Sequence, residues 1–185
     1  MSTEYRLSDE DGVVLDRLAT KIRGEVEAKA GITGKLPVDP ILIAEHLGFS
    51  VHATEFRYDD IFGMLACEGN SGAILVKLDI GADNMRFAIA HEIAHHLLRP
   101  DLKQNHRTCM FPMYTLVSSS RDGFEEVRAN HLAMYLLTPE NEVRNMFNLK
   151  TVDKNVFSVF GVDPFILGFR SGEIYRRDAQ PEIVQ

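Results

Sequence analysis

Cysteine is scarce in this sequence. Cys67 and Cys109 are the only two in 185 residues. Two cysteines are too few for a disulfide framework, and they lack the paired spacing of a metal-binding knuckle. A reducing, cytoplasmic setting fits that usage. Surplus positive charge is also missing: 20 Lys and Arg stand against 27 Asp and Glu, a formal charge of −7. An acidic chain has no general pull toward phosphate, so direct nucleic-acid binding is not expected. The first ten residues, from Met1 to Glu10, have no basic start followed by an apolar run, so they do not read as a secretory signal. No window approaches the roughly 20 apolar residues of a membrane span, and no membrane association is expected. Internal repeats and low-complexity segments are absent too.

What remains is a chain with 45% hydrophobic residues, enough for one compact core with at most a small appendage. Val13, Val14, Leu18, Ile22 and Val26 recur at helical spacing, predicting a helix from about Ser8 to Ala30 that Gly31 stops. Pro37-Val38-Asp39-Pro40 opens a shorter helix over Ile41 to Leu47, closed by Gly48. Three stretches rich in β-branched or aromatic residues follow: Phe49–Phe56, Ile61–Cys67 and Ala73–Leu78. Asp59-Asp60 and Gly69-Asn70-Ser71-Gly72 separate them, and together they read as a small antiparallel sheet. Asp83 or Asn84 then caps a helix running to about Arg99, before Pro100. Residues 101–120 show no period and read as an irregular loop, either one with a gating or substrate-holding role or, equally, a disordered insertion. A further helix spans about Asp122 to Leu137, and Pro139 starts another. The tail reads as two short helices around Gly161-Val162-Asp163.

The string His91-Glu92-Ile93-Ala94-His95 carries the chemistry. Histidines four residues apart on a helix are separated by about 40° of rotation, so both imidazoles can reach one ion. Neutral imidazole is a good zinc ligand. Glu92 lies roughly 100° round from His91, placed to take a proton from a water at the metal rather than to bind the metal. A solvated helix face can carry His and Glu by chance. Here the flanks are Phe87, Ala88, Ile89, Ala90, Ile93, Ala94, Leu97 and Leu98, an apolar setting in which buried polar groups need partners.

A catalytic zinc site takes three protein ligands and leaves a fourth position open. Asp101, ten residues after His91, is one candidate, but the class of site that uses that spacing needs glycine where Leu98 stands. The other candidates are Glu125 and Glu126. Periodicity alone does not decide between them. Glu126 shares a face with Ala129, Asn130 and Ala133, small residues that permit close helix approach, and that face favours it.

These motifs resemble the ImmA/IrrE family of bacterial and phage metallopeptidases. The similar stretches, in order, are Pro37-Val38-Asp39-Pro40 with Ile43-Ala44-Glu45-His46-Leu47-Gly48, Phe62-Gly63-Met64-Leu65, Ala73-Ile74-Leu75-Val76, Arg86 through His95, and Glu126 through Ala133 with Leu136-Leu137-Thr138-Pro139. The resemblance covers roughly residues 10 to 140. It implies zinc held by His91, His95 and Glu126, with Glu92 as the catalytic base. The implied fold is α+β, a mainly helical zincin-like domain over 8–140 with a small antiparallel sheet. A short C-terminal helical, helix-turn-helix-like appendage over 141–185 would complete it. The implied activity is cleavage of a cytoplasmic protein, typically a DNA-binding repressor, in control of a stress or mobile-element gene set. The family often has an acid at Arg128, phenylalanine at Leu132 and methionine at Thr138. These departures spare the motif and bear on substrate preference.

Several other residues have chemistry to offer. His106, Tyr114, Arg128, His131 and Tyr135 could steady an oxyanion or donate a proton, but each reads more simply as surface or as a hydrogen-bonded edge of the core. His96 points about 100° away from His95. His46 and His52 read as structural, and Asn130 could orient a ligand. Met110, Met113, Met134 and Met146 read as core filler. Arg176-Arg177 reads as a solvated surface pair. Two other functions compete with the peptidase: a non-catalytic regulator docking to a repressor, and a DNA-binding regulator. Glu92 argues against the first, since a structural site needs no base, and the acidic balance argues against the second.

Overall fold

A computed structural model describes residues 5–59, 61–68, 71–98, 107–109, 117–118, 121–148 and 156–179. After a two-residue strand β1 (Tyr5–Arg6), helix α1 spans Asp9–Ala30. Ser8 caps it by accepting the Asp11 N–H at 3.1 Å. Asp9, Glu10 and Asp11 sit in the first turn, where negative charge meets the positive end of the helix dipole. Gly31, at φ 66°, closes the helix by donating its N–H to Glu27. The stripe Leu15, Ala19, Ile22 and Val26 faces the core. Asp39 caps α2 (Pro40–His46), and Pro40 occupies its first turn.

Strands β2 (Phe49–Thr54), β3 (Gly63–Glu68), β4 (Ser71–Lys77) and β5 (Arg107–Cys109) form one sheet in the order β2-β4-β3-β5. The sheet is mixed, not wholly antiparallel. The β3–β4 pair is the antiparallel hairpin that the Gly69–Gly72 turn signal predicts, but β2 runs parallel to β4, from Phe49 opposite Gly72 to Thr54 opposite Lys77. The chain leaves β2 and enters β3 one place further on, and β4 then fills the position between them. Ile74 and Val76 are buried there, as a central strand requires. Strand alternation marks which face a residue occupies and carries no information on pairing direction, which is why the sequence pattern missed this.

Helix α3 (Ala82–Leu98) packs against β3 and β4. It begins just before the expected caps. Met85 donates its N–H to Gly81, and the Asn84 side chain donates to Ile80 instead of capping. All nine residues from Phe87 to His95 are buried, so this helix is enclosed on every side. Helix α4 (Arg121–Leu137) lies along α3 with Ala129 and Ala133 wholly buried, and α1 packs on α4. Within the span expected to be irregular, β5 pairs with β3, and β6 (Val117–Ser118) pairs with β1.

Helices α5 (Glu140–Asn148), α6 (Val156–Phe160) and α7 (Pro164–Ala179) complete the described chain. At 16 residues α7 is not the short helix that the tail pattern suggests. Phe160, Val162, Ile166, Leu167 and Ile174 join the same hydrophobic cluster as Leu15 and Leu132. Charged groups are buried at this junction. Arg170 is fully enclosed, donates to Asp16 Oδ2 at 2.5 Å, and lies 4.3 Å over the Tyr135 ring. Arg177 reaches Glu140 at 2.7 Å and is mostly buried, so it is no solvated surface residue. Burial works to raise the Asp16 carboxyl, yet Arg170, a hydrogen bond with Glu140 and Arg177 together hold it below its ordinary range. Arg23 donates to the Tyr135 carbonyl, and its own burial draws its pKa down to about 10.

Candidate metal centre

Buried helix α3 delivers His91 and His95 to one side, one turn apart, and α4 brings Glu126 up to meet them. His91 Nε2 and His95 Nε2 lie 2.9 Å apart, and each is 3.2 Å from Glu126 Oε2. Their side chains are nearly closed to solvent, at 7%, 5% and 15% exposure. The two rings meet edge to face, with centroids 4.5 Å apart. Among the described residues these three form the group able to hold a metal ion.

The triangle suits an ion at its centre. Bonds of about 2.0–2.1 Å in a tetrahedral site place ligand atoms roughly 3.3 Å from one another. Two imidazole nitrogens facing each other at 2.9 Å need either a shared proton or a cation that takes both lone pairs. Glu126 is in the anionic form a ligand requires. Burial pushes its pKa up, but hydrogen bonds and charge from His91 and His95 outweigh that and hold it well below the carboxylate range. Two imidazoles and one carboxylate match the donor set of catalytic zinc sites that leave a fourth position open.

Glu92 is wholly buried, lies outside the ligand triangle, and packs against Gly63 of β3. A Cβ built on Gly63 would stand 2.9 Å from Glu92 Oε1 and 3.2 Å from its Cγ. The strand therefore approaches the carboxylate as closely as it does because residue 63 has no side chain. Burial raises the pKa of the half-buried thiol of Cys67, further along β3, and the nearby Glu92 charge adds to that rise.

The remaining candidates fall elsewhere. Glu125 is half-buried and outside the triangle, as is Arg128. Asp101, His106, Met110, Met113 and Tyr114 lie outside the described residues. His131 and Tyr135 belong to the charged junction with α7. His131 Nδ1 donates to the Val127 carbonyl at 2.8 Å, and its Nε2 is 3.3 Å from Glu173. His96 packs edge-on against Phe49, His46 meets Glu25, and His52 meets Ser50. Asn130 and Met134 are buried, and Met146 packs on the core. Gly63 is the site residue that a reading of donors and acids overlooks. Its signal was a glycine inside a strand, a mark of close approach. No described helix is long and apolar enough to cross a membrane.

No curated protein matches the chain in a sequence comparison. A family match does cover residues 43–171, from within α2 to within α7, and so includes α3, α4 and the His–His–Glu triangle. That match is to the IrrE N-terminal-like domain, Peptidase_M78, and over so much of its length it shows that the chain belongs to this metallopeptidase family.

Proposed function

We propose that this protein is a zinc-dependent endopeptidase of the cytoplasm, with His91, His95 and Glu126 holding the metal and Glu92 as its general base. The observation that carries the reading is the enclosed His–His–Glu triangle beside a second, wholly buried carboxylate. Bound there, zinc would act as a Lewis acid and lower the pKa of a coordinated water toward about 7. Glu92 takes a proton from the attacking water as the new C–O bond forms at the peptide carbonyl. It then returns that proton to the amine nitrogen as the C–N bond breaks. Burial against Gly63 keeps the carboxylate in one orientation through both transfers.

The substrate proposed is a protein, a DNA-binding transcriptional repressor whose loss switches on its genes. The family resemblance suggests this, and the charge of −7 adds that recognition runs through the repressor's own surface and not through DNA. The test incubates purified protein, zinc and repressor, and maps products by mass spectrometry beside a chelator and Glu92→Gln. A single new cut that both controls abolish supports the reading. An intact repressor whose DNA binding is nevertheless relieved would mean regulation by docking instead.

A further inference from the structure

Among the described residues the fold buries two arginines, Arg23 and Arg170, and it treats them differently. Arg170 has a carboxylate oxygen of Asp16 at 2.5 Å. Arg23, only 7% exposed, has no carboxylate oxygen of a described residue within 4.0 Å. Its guanidinium donates to two neutral acceptors, the Tyr135 carbonyl and Thr20 Oγ1, which leaves most of its N–H donors unused. Burial draws its pKa down, and Asp16 and Glu27 oppose that only through space. Buried charges are ordinarily paired, because an isolated one is costly.

Arg23 also lines a cavity of about 690 Å³ between α1, residues 33–38, the start of α5 and the end of α7. That volume is within the range of small-molecule sites. None of His91, Glu92, His95 and Glu126 lines it. Of the other charges around it, Arg177 is taken by Asp16 and Glu140, and Lys21 lies 3.9 Å from Glu25. Arg17 and Lys35, both exposed, have no ion pair among the described residues, and neither do Glu27 and Glu142. The unpaired groups are therefore Arg17, Arg23 and Lys35 against Glu27 and Glu142, a positive balance in a chain of charge −7. We propose that this cavity binds a small organic anion. Arg23 holds the charged head, with Arg17 and Lys35 at the rim, and Val13, Leu36 and Val38 receive the apolar body. The proposal does not rest on the peptidase reading.

The test titrates the zinc-loaded chain with para-fluorobenzoate, para-fluorophenyl phosphate and the neutral para-fluorobenzamide, followed by fluorine NMR line broadening. Each is repeated with Arg23→Gln, Lys35→Glu and Lys29→Glu. Lys29 is exposed in the last turn of α1 and does not line the cavity, so its variant controls for the change in net charge. The expected result is millimolar or tighter binding of at least one anion and none of the amide, and the tighter anion identifies the head group. Lys35→Glu should weaken that binding about tenfold, the scale of one charged contact, Lys29→Glu should leave it unchanged, and Arg23→Gln should abolish it. Should Arg23→Gln fail to fold, Lys35→Glu carries the test, since its side chain is exposed. A guanidinium that merely ties α1 to α4 would bind neither anion, and that result would overturn the proposal. Equal binding of the amide, or equal weakening by Lys29→Glu, would overturn it too. Anion binding that neither Arg23→Gln nor Lys35→Glu changes would lie elsewhere, the metal centre included, and would likewise contradict it.

Discussion

Gly63 and Glu92 are packed so closely that a single methyl group would not fit between them: a Cβ on Gly63 would lie 2.9 Å from Glu92 Oε1. Because Glu92 has no exposed surface, its carboxylate cannot swing into solvent to make room. Gly63→Ala should therefore displace the proposed base while leaving the ligand triangle alone. Displacements near 1 Å in a reacting group cost on the order of 10²-fold in rate. Peptidase assays should show that loss in kcat with zinc content unchanged. Full activity in Gly63→Ala would mean that the position of Glu92 does not matter.

Glu126 should be the carboxylate that holds the metal. Glu126→Ala removes one corner of the triangle, and zinc affinity, read by competition with a chromophoric chelator, should fall by more than about 10²-fold, the upper range for losing even an outer partner of a ligand. Glu125→Ala should leave the affinity near wild type. The reverse pattern would place the third ligand on the wrong glutamate.

The Asp16–Arg170 pair should make stability depend on acid. Asp16 has a folded-state pKa held below its unfolded value of about 3.9, so its contribution is complete above that value. It is lost as pH falls from there through the lowered folded pKa. Asp16→Asn takes from the buried Arg170 its nearest anion, leaving Glu140 and Glu173 at 3.6 and 4.0 Å, and should cost up to about 3–5 kcal/mol at pH 7. The gap between the two proteins in denaturant unfolding should narrow as pH drops below about 4, since acid neutralises the wild-type carboxylate. A penalty equal at pH 7 and pH 3 would show that the charge of Asp16 is not what matters.

Leu167 on α7 is fully buried in the cluster that also holds Leu15 and Leu132. Leu167→Ala should destabilise the whole chain by about 2–5 kcal/mol, in one cooperative transition seen by both far-UV dichroism and zinc release. Early melting of α7 alone, with zinc retained, would show that the tail is a separable unit.

Much of this architecture is legible in local pattern. Ser8 and Gly31 bracket α1, and Asp39-Pro40 opens α2, because caps and breakers act over a few residues. The four-residue spacing of His91 and His95 is likewise a local fact. What local pattern cannot carry is placement between elements. Glu125 and Glu126 differ by 100° on α4, and only the position of α3 beside that helix makes one of them face the histidines. The parallel β2–β4 pair depends on where the chain crosses, which strand alternation does not record. Arg170 and Asp16, 154 residues apart, look like ordinary surface charges until the fold buries them together.

The central claim is hydrolysis at a metal held beside Glu92, and the most direct measurement compares zinc-loaded wild type with Glu92→Gln on one protein substrate. Gln keeps the shape of the side chain and cannot take a proton, so kcat should fall by roughly 10²- to 10⁴-fold, while zinc stoichiometry and melting temperature stay close to wild type. Wild-type turnover in Glu92→Gln would contradict the account.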